Sequence, residues 1–225
     1  MTQEDTSTPV WRTAAEELTD EIRAIIEALA VRELRLEDLA EAKQMARAIR
    51  RSLEAQPPRP RWYEADEELT PYSPGSREAY LQQSPVRGHL NAIAPPLDLE
   101  TLERPDGSRA IAGRARLGKR YEGPPHGVHG GWVAALLDEL LGSAQGLAAS
   151  GGVTAILKIR YRDITPIDED LRFEGWIHQD RGRIVIIRGT CHAGDTLTAD
   201  AEGIFVRVDF DEIQERMKER RDGDR

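Results

Sequence analysis

The chain has 225 residues and a single cysteine, Cys191. A lone thiol forms no internal disulfide and brings no second sulfur ligand to a metal, so a disulfide scaffold is excluded and zinc or iron–sulfur chemistry is not expected. Long apolar runs are also missing: nothing approaches the roughly 18 to 20 uninterrupted apolar residues that a membrane span needs. The first residues, MTQEDTSTPVW, lack a basic stretch followed by an apolar one, so a cytoplasmic location is expected. Positive charge is in deficit, with 31 Lys and Arg against 40 Asp and Glu and a net charge of -9. That balance argues against general nucleic-acid binding, although a local basic patch could still hold an anionic ligand.

What is present is a chain with 32% charged and 39% hydrophobic residues, long enough to build a core. From about Pro9 to Ala55, Leu18, Ile22, Ile25 and Leu29, then Leu39, Met45, Ile49 and Leu53, are spaced for two amphipathic helices broken near Arg32 to Leu36. Thr8-Pro9 offers a start signal. QPPRPRW (56–62) and PYSPGS (71–76) cannot continue a helix. The expected organisation is a helical extension over 1–60, a proline-rich linker over 61–84, a main domain over 85–210 and a charged tail over 211–225.

In the main domain, LDLETLE and RAIAGRARLGKRY flank a turn containing Asp106-Gly107 and read as a hairpin. Residues 131–149 follow as a helix that is apolar on almost every side and therefore needs to be surrounded. Four strand-like runs come after it: VTAILKIRYRDI, DLRFEGWIHQ, RIVIIRGTCHAG and LTADAEGIFVRVD. With no helix between these runs the sheet should be antiparallel, giving an α+β fold in which a sheet curls around one helix. In the run after the helix, Ala155, Leu157, Ile159 and Tyr161 alternate with Ile156, Lys158, Arg160 and Arg162. The apolar set is expected on the helix. The basic set is expected at solvent or a subunit boundary, where Lys158, Arg160 and Arg162 are candidates for phosphate contacts.

The stretch GPPHGVHGGWVAALLDELLG carries the chemistry. A carboxylate in apolar surroundings needs a partner, an interface or a catalytic purpose. Asp138 and Glu139 lie about 100° apart around a helix, so only one can face a given site; Glu139 is expected at solvent. His129-Gly130-Gly131 precedes the helix, whose unpaired amides can hold an oxyanion. An oxyanion site with a carboxylate two turns along the helix fits acyl transfer.

YEGPPHGVHGGWVAALLDELLG followed by GGVTAILKIRYRDITPI resembles the hotdog-fold acyl-CoA thioesterases of the PaaI-like and THEM4-like kind, within the 4-hydroxybenzoyl-CoA thioesterase superfamily. The resemblance covers roughly residues 85 to 209. It implies a sheet of five or six strands around one long helix. It also implies Asp138, nine residues after His129, as nucleophile or general base, with a backbone oxyanion donor at Gly130 or Gly131 and His129 shaping the turn. Thr154 matches a threonine that lies near the acid. Sites of this fold lie between subunits, so the resemblance implies a homodimer or homotetramer, an acyl-CoA substrate, no metal and no cofactor. Many PaaI-like relatives carry Asn or Gln six residues before the motif His, where this chain has Gly123. The rival reading is a non-catalytic acyl-CoA-binding or sensing protein with the same fold.

Overall fold

The computed structural model of the chain describes residues 10–58, 80–95, 97–148 and 152–208. Thr8-Pro9, Trp62, PYSPGS and the 211–225 tail fall outside these residues. The chain divides into two compact units, Met1–Tyr80 and Leu81–Arg225. The first carries α1 (Val10–Val31) and α2 (Leu36–Glu54), separated where the apolar spacing breaks. No residue of α2 is buried, and Leu36, Met45 and Leu53 are exposed. Among the described residues no helix is long and apolar enough to cross a membrane.

The second unit contains β1 (Leu97–Glu103), β2 (Arg109–Arg116), α3 (Gly130–Ala144), β3 (Gly152–Tyr161), β4 (Asp170–Arg181), β5 (Ile184–Ala193) and β6 (Thr196–Arg207). The strands form one sheet in the order β1-β2-β4-β5-β6-β3, with every pairing antiparallel. This is the expected α+β hotdog arrangement, and it leaves β3, the strand that follows the helix, on an edge. The β1–β2 turn forms as read: Gly107 takes φ 79°, and Asp106 Oδ1 accepts from Ser108 Oγ at 2.6 Å and Ser108 N at 2.9 Å. The Ser108 hydroxyl, then its amide, hold the Asp106 carboxyl below its ordinary range. β2 stops at Arg116, short of the run to Tyr121 expected from sequence, because Lys119–Tyr121 forms a 3₁₀ turn that buries Tyr121. Its ring meets Trp132 edge-on at 5.1 Å.

Helix α3 sits close to the sheet because glycines line its bed. Gly175 and Gly189 are direct neighbours across β4 and β5, and Gly203 lies on β6 opposite Ile187. A Cβ at Gly175 would come within 3.0 Å of Leu140 Cγ, and one at Gly189 within 2.9 Å of Leu141 Cδ2. Leu140 and Leu141, both fully buried, fill this bed. At Gly203 the Phe205 ring folds over the backbone, and an added Cβ would lie 2.5 Å from Phe205 Cε2 and 3.1 Å from Leu141 Cδ1. Gly203→Ala is therefore expected to destabilise the unit by about 1 to 3 kcal/mol through overpacking, seen as a lower midpoint in urea denaturation with unchanged m.

The sheet covers one side of α3 and not its whole circumference. Val133, Leu136, Leu137, Leu140, Leu141 and Ala144 are buried, whereas Ala134, Ala135, Asp138 and Gly142 are only half-buried. A Cβ at Gly142 would meet nothing within 4 Å. The apolar character that called for full wrapping leaves this stripe of small residues, with Asp138 in it, open in a single chain. Cys191 lies in the core, where burial pushes its thiol up to about 11 against a smaller opposing effect of Thr198, so it stays protonated and unreactive.

Candidate active site

The start of α3 is built by two consecutive glycines, a histidine cap and a strapped turn. In that turn Gly123 N–H donates to Gly127 O at 2.9 Å, Gly127 N–H to Pro124 O at 2.9 Å, and His126 adopts φ 62°. Glu122 steadies it by accepting from His126 N at 2.8 Å and pairing with Lys119. Lys119 first, then the His126 amide, hold the Glu122 carboxyl below its ordinary range, so this support is lost only as the pH falls through that lowered value. Val128 N–H donates to Thr165 O at 2.7 Å and Ile167 N–H to His126 O at 3.1 Å, tying the turn to the segment after β3. Gly123 is required here, since a Cβ would lie 2.7 Å from His129 Cα.

His129 caps the helix with φ −57° and ψ 129°, its Nδ1 accepting from Gly131 N–H at 3.0 Å. His129 O accepts from Trp132 N at 2.8 Å and Val133 N at 3.3 Å. The first-turn amides of Gly131, Trp132 and Val133 are thus occupied, and the Gly130 amide has no partner among the described residues. The sequence left Gly130 and Gly131 as equal alternatives for an anion donor, and the cap separates them. Two bonds received by the carbonyl of the His129–Gly130 peptide also polarise its N–H.

Asp138 lies two turns further along, half-buried, with Oδ1 accepting from Thr154 Oγ1 at 3.1 Å. Its other oxygen has no protein partner among the described residues. Strict alternation along β3 would put Thr154 on the outer face with Ile156 and Lys158. A β-bulge between Thr154 and Ile156 changes that: Thr154 pairs with the inward Phe205, and Ile156 with the outward Ile204. The bulge thereby aims the hydroxyl at the helix.

Glu139 departs from expectation. Its side chain is 13% exposed and lies 3.9 Å from Arg87 Nη1, which donates to Ser143 Oγ at 3.1 Å. A cation 52 residues upstream therefore covers the acid that the helix alone would have sent to solvent. Lys158, Arg160 and Arg162 lie on the opposite side of the sheet from Asp138 and are not brought to it within one chain. Arg160 and Arg162 share the Asp200 carboxylate at 3.4 Å and 2.5 Å, and Lys158 stands opposite Glu202. Trp176 also faces outward, under Arg104 at 4.5 Å. Among the described residues no three His, Cys, Asp or Glu side chains gather into a metal-binding group.

The chain is similar to several known proteins. A sequence profile of the thioesterase superfamily matches residues 126–200. The crystal structure of a thioesterase superfamily protein is similar at 31% identity and a TM-score of 0.74, covering 89% of this chain and 97% of that one. The human (Homo sapiens) acyl-coenzyme A thioesterase THEM5 is 29% identical over 97 residues, 42% of this chain and 39% of that protein. The chain thus spans well under half the length of that curated relative.

Proposed function

Starting from the fact that the chain belongs to the thioesterase superfamily, we propose that it hydrolyses acyl-CoA thioesters to the free acid and CoA, using Asp138 and the Gly130 amide. The observation that carries this reading is a single unpaired helix-start amide at Gly130 combined with a half-buried Asp138 whose Oδ1 is held by Thr154.

The chemistry needs two things at one carbonyl. A donor must hold the oxygen as it becomes negative, and a carboxylate must either attack the carbon or deprotonate the water that does. The C–S bond then breaks and CoA leaves as a thiolate that takes up a proton; where Asp138 activates water, the acyl group leaves directly as the acid, and where Asp138 attacks, a water then hydrolyses the acyl–Asp138 anhydride to release the acid and restore the carboxylate. Asp138 Oδ2 suits either route, with Thr154 fixing the other oxygen. Thr154→Val removes that anchor and is expected to lower kcat about tenfold, measured by thiol release from short, medium, long and aromatic acyl-CoA esters. The same panel tests the function: saturable binding of CoA esters without thiol release from any of them would replace hydrolysis with a sensing role.

One chain cannot complete this site. Gly130 and Asp138 are eight residues apart, so they sit about 12 Å apart along the helix axis. The Gly130 N–H points out of the helix start, away from Asp138. A carbonyl accepting a hydrogen bond and receiving a nucleophile spans only about 7 Å, with contacts near 3 Å on either side of a bond near 1.2 Å. The carbonyl held by Gly130 of one chain is therefore met by Asp138 of a second copy, and the functional unit is a homodimer. The open stripe of Ala134, Ala135, Asp138 and Gly142 supports this, as does the unpaired edge of β3, where Val153, Ile156 and Tyr161 are exposed. In a dimer the exposed charges at Lys158, Arg160 and Arg162 lie near the boundary and are the candidates for CoA phosphates. A cytoplasmic location fits this substrate.

A further inference from the structure

The Gly130 amide poses a mechanical problem. Two consecutive glycines at a helix start have the greatest backbone freedom the chain can offer, and helix ends fray. An oxyanion donor nevertheless has to be aimed before the charge appears, since a donor that must reorient forfeits much of its effect. No side chain on either glycine can pin it.

Tyr161, at the end of β3, adds a side-chain constraint to the helical bond that the Gly130 carbonyl receives. Its hydroxyl donates to Gly130 O at 2.9 Å. Its ring lies over the same residue, so that a Cβ at Gly130 would be 3.4 Å from Tyr161 Cζ and 3.5 Å from Cε1. The other end of the Gly130–Gly131 peptide is held as well, because its N–H donates to His129 Nδ1 at 3.0 Å. This one peptide plane is gripped at its oxygen by a tyrosine and at its nitrogen by a histidine, and the Gly130 N–H next to it takes its direction from that grip. Tyr161 is itself rigidly carried: it pairs with Ala199 on β6, and Arg162 N–H donates to Thr198 O at 2.8 Å. The segment after it is bound to the turn before α3 through Thr165 and Val128 at 2.7 Å. Although 55% exposed, the ring is thus fixed by its backbone and by its bond to Gly130.

We propose that Tyr161 is a positioning residue for the oxyanion hole, acting through the Gly130–Gly131 peptide to aim the Gly130 amide without touching substrate. This rests on the hydrolytic reading above and adds to it the residue that presets the donor. Tyr161→Phe tests it, since the ring contact with Gly130 survives and only the hydroxyl is lost. The variant should lower kcat about tenfold with KM and thermal midpoint unchanged. Affinity for a tetrahedral mimic, a trifluoromethyl ketone analogue of the acyl-CoA, should weaken in parallel, while affinity for a non-hydrolysable thioether analogue should not. Hydrogen exchange at the Gly131 amide should quicken in the same variant. If exchange, kcat and mimic affinity all equal those of wild type, Tyr161 has no positioning role, even where Asp138 and Gly130 variants are inactive. If the wild type hydrolyses no thioester, the functional reading fails separately, and unchanged Gly131 exchange in Tyr161→Phe would still overturn the grip.

Discussion

Asp138→Asn is expected to cut kcat for acyl-CoA hydrolysis by about 10²- to 10⁴-fold, the range a positioned general base supplies. The substitution keeps the shape of the side chain and leaves an amide oxygen that can still accept from Thr154 Oγ1, now 3.1 Å from Asp138 Oδ1. What disappears is a carboxylate able to attack a carbonyl or take a proton from water. Because Asp138 is half-buried on an open stripe of α3, no cavity and no orphaned charge result, and the thermal midpoint should stay at the wild-type value. Thiol release followed with a thiol-reactive dye is a clean assay, since Cys191 is fully buried in the native protein and its thiol is pushed up to about 11. The matched substitution Glu139→Gln should leave the chemistry intact while weakening the Arg87 contact at 3.9 Å.

The second large effect is expected from Gly130→Pro. Proline removes one thing of interest, the backbone N–H, and the local geometry tolerates it. Gly130 is the first helical residue, where proline is favoured, and His129 before it holds φ −57° and ψ 129°, near polyproline II and outside the α region that a following proline disfavours. The lost N–H has no internal partner among the described residues, so no bond of the fold is broken. Loss of one oxyanion donor costs about 10²- to 10³-fold in kcat. The variant should therefore fold, bind a thioether analogue of the substrate and turn over at that reduced rate. Wild-type kcat in a folded Gly130→Pro protein would move the oxyanion donor elsewhere.

Sequence order and apolar spacing carried the architecture. The all-round apolar character of residues 131–149 pointed to a helix gripped by a sheet, and the alternation along β3 put Leu157 and Ile159 on it, whereas Ala155, expected on the same face, is exposed at the bulge and Tyr161 is 55% exposed. The tight packing of that grip was less visible, because Gly175, Gly189 and Gly203 are far apart in sequence and become one bed for Leu140 and Leu141 only through strand register. At the site, it was the resemblance to the hotdog thioesterases that singled out Asp138, nine residues after His129, over Glu139. Four other features depend on contacts that no local pattern encodes. Thr154 turns inward only because of a bulge, which breaks the alternation used to assign faces. Glu139 is covered by Arg87, which comes from before β1. The amides of Gly130 and Gly131 differ only because the His129 ring folds back onto one of them. The hydroxyl of Tyr161, read from sequence as one more inward apolar position, has its partner 31 residues away.

The central claim is that Gly130 of one subunit and Asp138 of another form each site, and mixing two inactive variants tests it most directly. Asp138→Asn and Gly130→Pro proteins, each nearly inactive alone, are unfolded together, refolded and assayed for thiol release. Random assortment makes half the dimers mixed, and each mixed dimer regains one site with both an intact Gly130 amide and an intact Asp138, so the mixture should recover about a quarter of the wild-type rate. No recovery above the separate variants, in a mixture shown by mass to contain mixed dimers, would contradict the shared site.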